Sequence, residues 1–227
     1  MISGAERGSS FDPRSIALRS PERLQDWEIL AILFGTGTRG KDVASLSKEL
    51  LAEFSSLSSL IFAPGSVLQK KTGLGRAKTA LLAAVRELMY RVNTSDLLKE
   101  PTVDFRKLQD ILYQRTVSEV RESFYLISLG SSGCLLEIDL LAKGGLKEVG
   151  IRFRDLLKTV LDTGAHHTIL CHNHPGDTPE PSEEDWTLFY SVKELFLRLE
   201  VDLLDQWIMG RNGIYSCDKK QMIRKMK

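Results

Sequence analysis

Between residues 165 and 199 the chain changes character twice, and the changes leave few ways to fold. Residues 165–171, with the apolar pair Ile169-Leu170, read as a short strand running into His172-Asn173-His174-Pro175. Side chains two apart on a strand point the same way, so both imidazoles face one point in space. Gly176, Pro179 and Pro181 then break regular structure and force a turn. Ser182-Glu183-Glu184-Asp185 opens a helical pattern over residues 186–199, which brings a carboxylate back toward the strand end. Two neutral imidazoles and one carboxylate suit Zn²⁺. Three protein ligands leave a fourth position for water, which marks a catalytic rather than a structural zinc.

Each piece alone has a plainer reading. A His-x-His pair is as a rule an exposed or hydrogen-bonded pair. Ser182-x-x-Asp185 has the form of a capping box, with the Ser side chain taking an orphan N–H and an acid near the positive end of the helix dipole. The readings are compatible, because a helix start is a rigid place from which to project a ligand.

At 227 residues the chain can hold one large domain or two small ones. Hydrophobic content of 42% and charge of 27% fit a globular protein. The net charge of +1 gives no global field that argues for nucleic acid. Residues 1–100 carry 14 Lys and Arg against 11 Asp and Glu, and the remainder 17 against 19, so the first part is mildly basic. Cys134, Cys171 and Cys217 are an odd set without C-x-x-C spacing, which suggests a reducing compartment. No apolar run reaches membrane-spanning length and the start lacks a signal-peptide core, so a cytoplasmic location is expected.

Residues 1–15 read as a loose leader. Helical periods follow over 22–34, 42–54, 66–71 and 77–92, and a connector over 93–101 separates them from the rest. Beyond it a helix is expected over 105–112, strands over 123–129 and 134–142 around the turn Ser131-Ser132-Gly133, and a loop at Gly144-Gly145. A helix over 154–163, a strand over 167–171 and closing strands over 201–209 and 214–216 complete the pattern. Neighbouring strand residues face opposite ways, so Cys171 beside His172 is read as packing. The expected fold class is α/β, a mixed sheet with helices packed on it.

His-x-His-x7-Ser-x2-Asp resembles the signature of the JAMM (MPN+) metallopeptidases. The surrounding His172-Asn173-His174-Pro175 and Pro179-Glu180-Pro181-Ser182-Glu183-Glu184-Asp185 resemble the bacterial RadC family. That pattern also wants a glutamate at the start of an upstream strand, and Glu122 before the apolar run 123–129 fits the slot. The resemblance implies that His172, His174 and Asp185 bind one zinc per chain. It implies that Glu122 is the general base on a zinc-activated water, and that Ser182 helps hold the oxyanion. The plain alternative for Glu122 is an exposed charge at a strand end, with Glu119 and Glu137 as nearby acids. The implied fold is a deaminase-like MPN domain over 101–227, after a small all-α domain over 1–95. The implied activity is that of a zinc metallopeptidase or isopeptidase acting on a peptide or protein conjugate.

Gly73-Leu74-Gly75-Arg76-Ala77-Lys78, between two helices, resembles a helix-hairpin-helix turn. There Gly73, Gly75, Arg76 and Lys78 would meet a nucleic-acid phosphate. An αα-hairpin whose glycines let two helices meet explains the same residues. A second reading of the whole chain follows: a nucleic-acid-associated, DNA-repair-type binding protein with a degenerate metal site. A zinc deaminase would need His-x-Glu and Pro-Cys-x-x-Cys, and neither string occurs. This chain also departs from the RadC pattern. Gly176-Asp177 stands for Ser-Gly, Gly144-Gly145-Leu146-Lys147-Glu148 for Gly-Thr-Leu-Asn-Ser, Arg152-Phe153-Arg154-Asp155 for His-Pro-Arg-Glu, and Asp205-Gln206 for Asp-His. Gln206 bears most on catalysis, since an imidazole shuttles a proton and an amide does not.

Overall fold

A computed structural model describes residues 12–144, 151–175 and 178–225. The chain divides into two compact units after Arg86.

The first unit is helical. Its elements are α1 (Pro13–Arg19), α2 (Asp26–Phe34), α3 (Val43–Phe54), α4 (Leu57–Ile61), α5 (Gly65–Leu68) and the start of α6 (Arg76–Leu97). Leu30, Phe34, Leu46, Leu50, Leu60, Leu68, Leu74 and Leu82 form its core, most of them turned inward by the helical period, with Leu60 from the short α4 and Leu74 from the glycine turn. Asp42 caps α3 by accepting from the amides of Ala44 and Ser45.

The second unit is α/β. After α6 come α7 (Phe105–Thr116), β1 (Ser123–Leu129), β2 (Leu135–Lys143), α8 (Phe153–Thr163) and β3 (His167–Asn173). They are followed by α9 (Glu183–Leu197), β4 (Asp202–Gly210), β5 (Gly213–Ser216) and β6 (Gln221–Lys225). The sheet runs β2-β1-β3-β4-β5-β6. Among the described residues only β3 and β4 pair in parallel, and α9 makes the crossover between them. One face buries Tyr125, Ile127, Leu129, Ile169, Cys171, Trp207 and Met209 against Leu108, Ile111 and Leu112 of α7. The other buries Phe124, Leu126, Leu170 and Ile208 against Leu156 and Val160 of α8 and Leu188, Phe189, Val192 and Phe196 of α9. The period-2 alternation along β1, β3 and β4 sorts these residues, so Cys171 lies in the face away from its neighbour His172. A mixed α/β unit follows a helical region, as expected, and its sheet has six strands where five were expected.

Several local expectations are corrected. Part of the leader, 12–15, already enters α1, which Asp12 caps and Pro13 opens. The long helix expected over 22–34 is split into a 3₁₀ turn at Pro21–Arg23 and α2, which begins only at Asp26 with a capping box between Gln25 and Glu28. The connector expected over 93–101 is shorter. Helix α6 continues through the loop-like Asn93-Thr94-Ser95 because Leu97 is buried in the core of the second unit. Helices α1 and α4 and strand β6 were not expected. Residues 1–11, Gly145–Gly150 and Gly176-Asp177 lie outside the described residues, and with them most of the two loops in which the chain departs from the RadC pattern. Among the described residues no helix is long and apolar enough to cross a membrane.

Candidate metal centre

Strand β3 ends where the sequence places it, at the histidines. His172 pairs in register with Phe124 of β1 and Ile208 of β4, and Ile208 in turn with Tyr215 of β5, so one transverse row crosses the sheet. The Phe124 ring stacks on the His172 imidazole, centroids 4.6 Å apart and planes 20° from parallel, which fixes the ring. His174 leaves the strand but stays anchored. Its amide donates to the Met209 carbonyl at 2.9 Å, and its Nδ1 lies 3.3 Å from the Thr178 carbonyl. A carbonyl only accepts, so that contact places a hydrogen on Nδ1 and leaves Nε2 as the free ligand atom. Gly210, at the end of β4, admits this loop: a Cβ there would stand 2.4 Å from the Pro179 nitrogen.

The third group comes from α9. Ser182 is its N-cap. Asp185 N donates to Ser182 Oγ at 3.2 Å, while Ser182 N and Oγ both donate to Asp185 Oδ2, at 2.8 and 2.7 Å. The cap thus holds Oδ2 and orients the carboxylate so that each oxygen meets one histidine. Asp185 Oδ1 lies 3.0 Å from His172 Nε2, and Oδ2 lies 3.4 Å from His174 Nε2. The two Nε2 atoms are 3.1 Å apart.

Four donors arranged tetrahedrally at about 2.0–2.1 Å from zinc stand about 3.3 Å from one another. The two Nε2 atoms, 3.1 Å apart, stand close to that spacing, Asp185 meets His172 through Oδ1 and His174 through Oδ2, and the donor set of two imidazoles and a carboxylate fits zinc chemistry. His172 and Asp185 are buried and His174 half-buried, so the cluster meets solvent on the His174 side. Among the described residues this is the one group of His, Cys, Asp or Glu that converges in this way.

The electrostatics follow from the packing. Burial alone would raise the Asp185 carboxyl, but hydrogen bonds with His172, His174 and Ser182 hold it well below the usual carboxylate range. Burial would lower His174, yet the hydrogen bond and charge of Asp185 more than offset it. The Glu122 charge adds to the raising of His174.

Glu122 sits immediately before β1, as the sequence suggests, and its carbonyl accepts from Gly144 N at 2.8 Å. Glu119, the alternative acid, is engaged with Lys143, and Glu137 is exposed on β2 opposite Ser128. Gln206 Nε2 donates to the Asp185 carbonyl at 3.3 Å, so this amide braces the first turn of α9 from the sheet. Its Oε1 and the Nδ1 of His172 are buried without hydrogen-bond partners. Asp205 is buried and accepts from Trp207, Ser216, Gln206 and Asp218, tying β4 to β5 and the turn beyond it. The sequence marks Gln206 only as a departure from the RadC pattern, and no local signal marks its bond to Asp185, the stacking of Phe124 or the contacts of Asn173, because those partners come from other elements.

The residues of the glycine turn are held differently. Lys78 Nζ donates to the Gly37 carbonyl at 3.0 Å and stands over the Phe34 ring. Gly73 has a φ of 88°, and a Cβ there would stand 2.6 Å from Leu46 Cδ1. Gly75 and Arg76 are exposed.

Residues 102–222 match the RadC-like JAB domain, and residues 14–80 match the UPF0758 N-terminal family. A UPF0758 protein of Methylibium petroleiphilum is 33% identical over 206 residues, covering 90% of this chain and 93% of that one. One from Herminiimonas arsenicoxydans is 34% identical over 198 residues, covering 85% and 87%. One from Flavobacterium johnsoniae is 33% identical over 202 residues, covering 88% of each. With its helical N-terminal region and its converging His172, His174 and Asp185, the chain belongs to the UPF0758 family and carries a RadC-like JAB domain.

Proposed function

We propose that the protein is a zinc-dependent hydrolase that cleaves an amide or isopeptide bond in a peptide or protein conjugate. The observation that carries this reading is the convergence of His172 Nε2, His174 Nε2 and the Asp185 carboxylate, with Glu122 immediately before the strand that pairs with His172. His172, His174 and Asp185 would hold the ion. When bound, zinc supplies a water acidified to a pKa of about 7 and a Lewis acid for a carbonyl oxygen.

The remaining work falls to the protein. Glu122 takes a proton from the attacking water and hands it to the leaving amine. Ser182 steadies Asp185 through Oδ2, and its hydroxyl can turn from that carboxylate to the substrate carbonyl oxygen as charge builds there. Phe124 and the Thr178 carbonyl keep the imidazoles in the ligating orientation.

The test is metal analysis of the purified chain followed by hydrolysis assays on a panel of peptides and isopeptide conjugates. One zinc per chain and cleavage of at least one panel member are expected. Glu122→Gln should keep the zinc and lose activity by about a hundredfold to ten-thousandfold. A Glu122→Gln variant that loses zinc as His172→Ala does would make Glu122 a ligand and overturn the assignment.

A further inference from the structure

Asn173 stands between the two histidines, yet its side chain takes no part in the ligand cluster. It is 3% exposed. Its Oδ1 accepts from the Ser123 amide at 2.8 Å and its Nδ2 donates to the Arg121 carbonyl at 3.3 Å. Those two backbone groups flank Glu122 on either side. Asparagine side chains usually bond their own neighbouring backbone in turns. Here both ends of the amide reach a segment fifty residues earlier in the chain.

The contact answers a mechanical need. Glu122 lies just outside the ladder, which begins with Phe124 opposite His172 on this side of β1. Backbone beyond the last ladder pair is where strands loosen. A base that serves a metal-held water must stay within about 0.5 Å of its working position. Asn173 ties the segment to the strand that carries His172 and to the loop residue His174, so ligands and base share one frame. Gly144 holds the intervening Glu122 carbonyl from the far side at 2.8 Å.

We propose that Asn173 is a positioning residue. Its side-chain amide straps the backbone on both sides of Glu122 to the histidine strand and so sets the reach of the Glu122 carboxylate. The proposal rests on the zinc-hydrolase reading of the cluster.

The experiment uses the full chain loaded with Co²⁺, whose visible bands report the coordination sphere, at one fixed pH. Wild type, Glu122→Gln, Asn173→Ala and the double variant are compared. Glu122→Gln should shift the bands by altering the hydrogen bond to the coordinated water. Asn173→Ala should shift them the same way, and the double variant should shift no further than Glu122→Gln alone. Asn173 bonds no ligand side chain, so cobalt affinity should fall by less than about tenfold, below the usual loss on removing a ligand's own hydrogen-bond partner. Should Asn173→Ala fail to fold, Asn173→Ser carries the same comparison with a polar atom kept in place. Additive shifts in the double variant, or an unchanged spectrum in the Asn173 variant where Glu122→Gln shifts it, would overturn the strap and leave the zinc reading standing. A wild type that binds no cobalt would overturn both.

Discussion

Two stretches of this chain carry equally suggestive residues, and the fold uses them in opposite ways. At residues 172–185, side chains from a strand end and a helix start leave the core pattern and converge on one point. At residues 73–78, glycines and cations of a form suited to phosphate are largely taken up by packing. Gly73 makes room for Leu46, and Lys78 is bonded to Gly37. The lesson is that spacing alone does not mark a site. What distinguishes the first stretch is polar atoms turned toward one another in a buried place, where leaving them without a common partner is costly.

The comparison is broken most directly at His172. Replacing it with Ala should weaken zinc binding by more than about a hundredfold, since losing even an outer partner of a ligand costs about 10–100-fold. Competition with a chromogenic chelator measures this, and full occupancy at stoichiometric metal would remove the contrast between the two stretches.

Acidity sharpens the same point. Asp185 is depressed in the fold, so its contribution to apo-protein stability is full above about pH 4 and is lost as pH falls through its lower folded value. His174 is raised, so its contribution is full below about pH 6.5 and is lost as pH rises through its higher folded value. Zinc must displace the His174 proton, so calorimetry in buffers of different ionisation enthalpy should show proton release and an affinity that climbs with pH across that value. In Asp185→Asn the acid-side dependence of apo stability should flatten.

In the glycine turn, Gly73→Ala should destabilise the fold by about 1–3 kcal/mol, through a positive φ and the contact with buried Leu46. Gly75→Ala, with nothing within 4 Å of its Cβ, should be nearly silent. Thermal or denaturant unfolding of the two variants separates a packing glycine from an exposed one, and equal losses would contradict the distinction. The smallest effect is expected at Arg76→Glu, within about 0.5 kcal/mol of wild type. If the turn does meet nucleic acid, this variant should weaken a salt-sensitive interaction measured by fluorescence anisotropy.

Legibility followed the range of the interactions. Strand β1 and the start of α9 were readable because each announces itself locally, by a continuous apolar run or by a cap beside prolines. The end of α6 was not, since Asn93-Thr94-Ser95 is loop-like in composition and only the distant core around Leu97 keeps it helical. Helix α1 did leave a signal, Asp12 followed by Pro13, inside a stretch whose glycines and polar residues read as a leader. Strand β6 is a sheet edge whose residues are at most half-buried, so it shows little periodicity. In the candidate site the convergence of His172, His174 and Asp185 was legible because they share one short stretch. The grip of Asn173 on Arg121 and Ser123, and that of Gln206 on Asp185, depend on sheet register and helix docking, which no local pattern encodes.

That short stretch has a consequence for how the protein matures. His172, His174 and Asp185 all emerge from the ribosome before β4, β5 and β6, so under the proposed function a zinc ion can be caught by two or three of them while the sheet is still incomplete. A chain that binds the ion before it folds keeps part of that affinity when it unfolds again. The ion would then raise the melting temperature by less than its affinity for the native state implies, because ligand stabilisation counts only the difference between the two states.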